Sequence, residues 1–138
     1  MNQYGFPDTI MRVHWDPLMA HTAGVHSTYD FGGERIGWLA HIATDWMGDD
    51  GFLRKLSIQI RRFCVTGDTQ WMKGKVADKG IDDGEYWVDL DIWAENQRGE
   101  NTAPGKARVL LPSRVGGPVR IPAKIQKDPS IYAPGEWH

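Results

Sequence analysis

His14 is the residue in this sequence best suited to moving a proton, and it has carboxylates close by in the chain: Asp8 before it and Asp16 two residues after it. An imidazole gains and loses a proton near neutral pH, and an adjacent carboxylate can orient it or share a water with it. Each residue also has a plainer reading. His14 beside Trp15 would serve as a hydrogen-bonded structural histidine, Asp16 before Pro17 as a turn or helix cap, and Asp8 after Pro7 as a surface turn. Further on, Phe31-Gly32-Gly33 leads into a predicted helix. Backbone N–H groups at a helix start can hold a developing oxyanion, and glycine lets a ligand come close to them. The same glycines would also serve as a simple hinge. Arg54, Lys55, Arg61 and Arg62 cluster around the next segment. Arg61 and Arg62 could receive phosphate groups in bidentate fashion, or the cluster could be a charged, solvated strand edge.

Other chemistries lack their residues. His21, His26 and His41 follow no metal-ligand spacing, and the single cysteine, Cys64, has no zinc-site companions, so no metal is expected. Cys64 falls in a strand-like run and reads as buried and inert. Ser57 and Ser113 lack the glycine-flanked context of a nucleophilic serine. Sixteen basic against eighteen acidic residues give a net charge of −2, which argues against a nucleic-acid protein. Apolar runs are too short to span a bilayer. The opening MNQYGFPDT lacks the pattern of a secretion signal, and one cysteine cannot form an internal disulfide. Both point to a reducing cytoplasm.

The elements that must position these residues follow from periodicity. Ile36, Leu39, Ala40, Ala43 and Trp46 form one apolar stripe, which predicts a helix over Gly33 to Trp46. Asp30 and Glu34 suit its positive end, and Gly48 stops it. Four strands are expected after it: Leu53 to Val65, Thr69 to Lys79, Tyr86 to Glu95 and Lys106 to Leu111. Thr66-Gly67-Asp68 and Asp82-Asp83-Gly84 supply the first two turns, and Asn96 to Gly105 a longer connection. A further strand is placed in Asp8 to Trp15. The expected fold is α+β, with an antiparallel sheet wrapped on one helix. Residues 1–113 form the domain, and 114–138, punctuated by Pro118, Pro122, Pro129 and Pro134, form a tail lying over the domain or its partner. Seven tryptophans exceed what one small core needs, which points to a second chain. Trp71, Trp87 and Trp93 are assigned to core or dimer packing.

Four segments resemble one family, the MaoC-like acyl-CoA dehydratases and (R)-specific enoyl-CoA hydratases. They are Val13 to Ala20 with Gly24, Tyr29 to Gly33 with the helix end Thr44 to Asp49, Val65 to Thr69, and Asn96 to Glu100 followed by Gly105 to Val109 with Leu111-Pro112. The first resembles the second half of the family's hydratase motif, in which His is followed by Asp. The chain departs from the first half: Thr9 stands where the motif has its Asp, Met11 where it has Asn and Arg12 where it has Pro. Asp8 is one residue out of register. The resemblance spans roughly residues 8–113 and omits the tail.

The resemblance implies a hot-dog fold, an acyl-CoA thioester substrate and reversible hydration of an enoyl-CoA. It implies no cofactor beyond the coenzyme A of the substrate. His14 would act with Asp8 or Asp16, while Gly32 and Gly33 would polarise the thioester and Arg61 and Arg62 would bind the coenzyme A phosphates. A homodimer, or a heteromer with another hot-dog chain, is expected. Two alternatives stand beside this reading: an acyl-CoA thioesterase using Asp30 or Glu34, and a non-catalytic subunit whose partner carries the missing carboxylate.

Overall fold

A computed structural model describes Gly5 and residues 9–119. The chain opens with a 3-10 turn over Ile10–His14 and a short helix α1 over Pro17–Thr22. The principal helix, α2, spans Gly32–Met47. Strands β1 (Phe52–Ile58), β2 (Gln70–Asp82), β3 (Glu85–Asn96) and β4 (Asn101–Leu110) follow. They form one antiparallel sheet in the order β1-β4-β3-β2.

The core lies between α2 and one face of this sheet. Leu39 and Ala43 of α2 pack against Leu90, Ile92 and Ala94 of β3 and Ala103, Ala107 and Val109 of β4. The small residues on β4 let the helix sit close to the central strands. The alternation expected along Tyr86 to Glu95 holds: Leu90, Ile92 and Ala94 are buried, while Asp89, Asp91 and Trp93 face outward. Both predicted turns are present. Asp83 and Gly84 take positive φ (51° and 78°), as a tight hairpin with the right twist requires.

Several expectations are corrected. No strand forms over the described part of Asp8 to Trp15. Thr9 accepts a hydrogen bond from Met11 N, and Asp16 accepts from Leu18 N and Met19 N, so caps at both points turn the chain into helix. Asp8 itself lies outside the described residues. The first strand ends at Ile58, seven residues short of the expected Val65, and β4 begins at Asn101 rather than Lys106. Pro104 connects the two differences. Its carbonyl accepts from Gln59 N (2.9 Å), so the missing N–H of Pro104 also faces β1, at the point where the regular ladder stops. A proline that reads as a breaker is therefore accommodated inside β4. Beyond it, Arg61 N and Arg62 N both reach the carbonyl of Thr102, at 2.9 and 3.2 Å.

Core packing, one of the two roles expected of the strand tryptophans, is not what they do. Trp71, Trp87 and Trp93 are not among the core residues; Arg108 lies over the Trp87 ring at 4.1 Å, and Trp71 is about half exposed. At the start of the expected tail, Ser113 and Gly117 pair in a turn whose Gly116 packs so closely on Tyr86 that an added Cβ would meet the ring at 2.5 Å. Residues 120–138 lie outside the described residues.

The connection between α2 and the loop ahead of it is an ion pair between Arg35 and Asp30. Arg35, 1% exposed, donates from Nε to Asp30 Oδ2 (2.6 Å) and from Nη2 to Oδ1, and from Nη1 to the carbonyl of Arg62 (2.7 Å). Removing the guanidinium would strand a carboxylate that is itself almost wholly covered. The expected cost of Arg35→Met is about 3–5 kcal/mol, read from urea unfolding; a loss under about 1 kcal/mol would show that this pair does not anchor the helix.

A second electrostatic cluster locks the β1–β2 turn to the β3–β4 turn. Asp68 accepts from Arg98 Nη1 and Nη2 (2.9 and 3.1 Å) and from Gln97 Nε2 (2.5 Å). These bonds, the Arg98 guanidinium first, lower the Asp68 pKa from 3.8 to about 2. A depressed carboxylate adds stability above its unfolded pKa and loses it as pH falls through the folded one. The chain should therefore lose stability between roughly pH 4 and pH 2. Asp68→Asn should flatten that part of the stability curve, as followed by thermal melts across the range.

Candidate active site

His14 ends the 3-10 turn, half-buried, with its ring edge against two aromatic neighbours. The ring centroids of Tyr29 and Phe31 lie 4.9 and 5.4 Å away, both nearly perpendicular to the imidazole. Nδ1 sits 2.8 Å from the carbonyl of Tyr29. A carbonyl only accepts, so Nδ1 carries the proton and donates. In the neutral ring this leaves the lone pair on Nε2.

The segment that receives His14 is held from below. Tyr29 bridges to Val65, Asp30 N donates to the carbonyl of Cys64 (2.9 Å), and Thr66 N donates to that of Thr28 (2.7 Å). The Thr28 and Thr66 hydroxyls meet at 2.6 Å. Phe63 stacks at a tilt on Tyr29, 4.6 Å between centroids. The histidine thus rests on a two-stranded clasp rather than on a free loop.

Phe31 connects this histidine to the helix. It is the N-cap residue of α2 and also one of the rings against His14. Gly32 and Gly33 follow as the first two helical residues. The opening amides of an α-helix have no carbonyl partner within the helix, and they carry the positive end of its dipole. The first amides bonded back are Glu34 N and Arg35 N, both to the Phe31 carbonyl (2.9 and 3.3 Å). Both glycines are closely covered: a Cβ on Gly32 would meet Ile60 Cδ1 at 3.0 Å, and one on Gly33 would meet the Phe31 ring at 2.8 Å.

The carboxylates are engaged elsewhere. Asp16 pairs with the Arg12 guanidinium and caps α1, and the Arg12 bond holds its pKa below the usual range. The cap reading thus describes its contacts. Asp30 belongs to Arg35. Glu34 is exposed on the first turn of α2. Thr9, at the position of the family's Asp, spends its hydroxyl on Met11 N.

Arg61 and Arg62 diverge. Arg61 donates to Gln59 Oε1 (2.7 and 3.2 Å), while Arg62 pairs with Glu100 at 3.2 Å and is more than half exposed. Cys64 is buried, and burial raises its thiol pKa, so it is a poor nucleophile. Among the described residues no group of His, Cys, Asp and Glu is arranged to hold a metal ion, and no helix is long and apolar enough to cross a membrane.

Similarity to known proteins decides the architecture. No family model matches the chain, and no curated protein matches it in sequence. Solved structures do match. The ChsH1–ChsH2 complex from Mycobacterium tuberculosis is 18% identical with a TM-score of 0.63, over 72% of this chain and 75% of that one. The (R)-hydratase from A. caviae involved in PHA biosynthesis is 19% identical with a TM-score of 0.62, over 73% of this chain and 76% of that one. The R-hydratase PhaJ1 from Pseudomonas aeruginosa is 24% identical with a TM-score of 0.61, over 75% of this chain and 65% of that one. The chain has the hot-dog fold. In this hot-dog chain α2 is the central helix, and His14 meets it at its N-terminal end.

Sequence reasoning singled out His14, Gly32 and Gly33, and these are the site residues that the fold brings together. It missed Tyr29 and Phe31 as the residues that seat His14, and Arg35 as the anchor beneath them. The Asp30/Arg35 spacing across a predicted helix start was the available signal. The Phe31–His14 contact can be tested through Gly33→Ala, which must push the Phe31 ring aside. The His14 ring protons should shift in the NMR spectrum. Gly37→Ala, which meets nothing within 4 Å, should leave them unmoved.

Proposed function

We propose that this chain is a hydratase/dehydratase subunit acting on acyl-CoA thioesters. The observation that carries the reading is the position of His14: its Nδ1 is anchored on the Tyr29 carbonyl, and its ring lies against the N-cap residue of α2. A base and a set of backbone amides therefore meet at one end of the helix.

In the hydration direction, Nε2 of His14 takes a proton from water as the water oxygen bonds to Cβ of the enoyl thioester. The C=C electron pair moves toward the carbonyl and an enolate oxygen forms. The amides of Gly32 and Gly33, at the positive end of α2, hold that oxygen. The proton taken up by His14 is then passed to Cα by way of an acid, which restores the free base and completes the 3-hydroxyacyl thioester. Dehydration is the reverse.

The proton for Cα needs an acid. Asp16 and Asp30 are committed to Arg12 and Arg35. This favours a second reading within the same class, in which this chain supplies His14 and the helix amides while another hot-dog chain completes the site. The edge of β2 suits such a partner: among the described residues no strand pairs with its outer side, and Trp46, Trp71 and Val76 near it are each about half exposed. The thioesterase alternative loses support at Asp30, whose carboxylate is buried against Arg35.

The test is loss of enoyl-thioester absorbance with crotonyl-CoA and longer enoyl-CoAs. Turnover should fall about 10²–10⁴-fold in His14→Ala. Activity that appears only after mixing with a second hot-dog chain, and remains sensitive to His14→Ala, selects the two-chain reading. Release of free thiol without a hydroxyacyl product would overturn both readings in favour of a thioesterase.

A further inference from the structure

A second site lies on the opposite face of the sheet. There, a cleft of about 560 Å³ opens between β1 and β2, across β4 and β3. That volume is within the range of about 300–1,000 Å³ typical of small-ligand sites. The cleft belongs to the outward face, since its side chains alternate with the core residues Ile92, Ala103 and Ala107 that face α2.

Its chemistry differs from that of its surroundings. Elsewhere on this face, charges are neutralised in close pairs: Arg108 with Asp89 at 2.6 Å, and Lys73 with Glu95 at 2.5 Å. Within the cleft, three cations (Arg61, Lys75 and Lys106) share one carboxylate, Asp91. Lys75 reaches Asp91 only at 3.9 Å. Arg61 spends its donors on the neutral Gln59 amide. Lys106 makes no ion pair within 4.0 Å among the described residues, although its charge helps to lower the pKa of Asp89. Beside these cations, Trp93 and Pro104 stand directly opposite each other in register and form an apolar platform.

We propose that this cleft binds a phosphorylated nucleotide. An aromatic base would lie on the Trp93–Pro104 platform, its phosphates would be held by Arg61, Lys75 and Lys106, and Asp91 would accept from a ribose hydroxyl or an exocyclic amine. Two sources share this chemistry: a free nucleoside diphosphate and the nucleotide end of coenzyme A. The inference does not rest on His14, because the cleft and that histidine share no residue.

Isothermal titration of the whole chain with ADP tests it. ADP should bind, and adenosine or inorganic phosphate alone should bind more weakly. A Lys75→Ala/Lys106→Ala variant should lose about tenfold or more in affinity, and Trp93→Leu should lose most of the contribution of the base. Both lysines are exposed, so the double variant should melt at the wild-type temperature. Arg61→Ala, beyond the last residue of β1, is a second probe that leaves the sheet intact. His14→Ala should bind ADP normally. Displacement of ADP by coenzyme A identifies the thioester's own nucleotide as the occupant; ADP binding unaffected by coenzyme A identifies a separate nucleotide. No ADP binding at millimolar concentration, or equal binding by the double variant, overturns the proposal.

Discussion

The buried contact between Arg35 and Asp30 is the constraint on which the working end of the molecule depends. A guanidinium this well covered is tolerated only because every donor direction used finds an acceptor: both oxygens of Asp30 and the carbonyl of Arg62. Asp30, Arg35 and Arg62 belong to the loop ahead of α2, to α2 itself and to the segment after β1. One side chain therefore fixes the start of the helix against the sheet. The clasp between residues 28–30 and 64–66 follows from that registration, and His14 rests on the clasp.

A helix packed by Leu39 and Ala43 on small β4 residues could still slide along its axis, because apolar contact is non-directional. Hydrogen bonds are directional, so the Arg35 contacts choose one position. That position sets where the first-turn amides of α2 stand relative to the imidazole. The Asp68–Arg98 cluster does similar work between two turns of the sheet, with Asp68 covered but the Arg98 side chain half exposed, where water competes for its bonds.

The chain also shows a division of its two sheet faces. The face toward α2 is apolar and closely packed. The outer face carries alternating charges and half-buried tryptophans, and it holds a hollow lined by three cations. Among the described residues nothing pairs with the outer edge of β2, and Trp46, Trp71 and Val76 stand half exposed near it.

Much of this was legible in the sequence, because it depends on local periodicity and turn chemistry. The three- and four-residue spacing of Ile36, Leu39 and Ala43 specified α2, the alternation over Tyr86 to Glu95 specified β3, and Asp83-Gly84 specified the hairpin. His14, Gly32 and Gly33 could be named as chemically suited residues from their types and from the expected helix start. Other features depended on partners distant in the chain. Pro104 reads as a breaker until its missing N–H is seen to face the end of β1. Thr9 reads as part of a strand until its side chain is found capping a 3-10 turn, whereas the cap reading of Asp16 was already available from the proline that follows it. Arg35 lies outside the apolar stripe of α2, and only the fold brings Asp30 and the loop around Arg62 onto it. By itself, the sequence determined the principal helix, the order of the four strands after it and which side chains can carry protons, but not the helical turns ahead of α2 or the bounds of β1 and β4. Only the tertiary structure decided which of those side chains are free to react, because a carboxylate's availability is set by the cation or amide that reaches it first, and those partners are brought in by the fold.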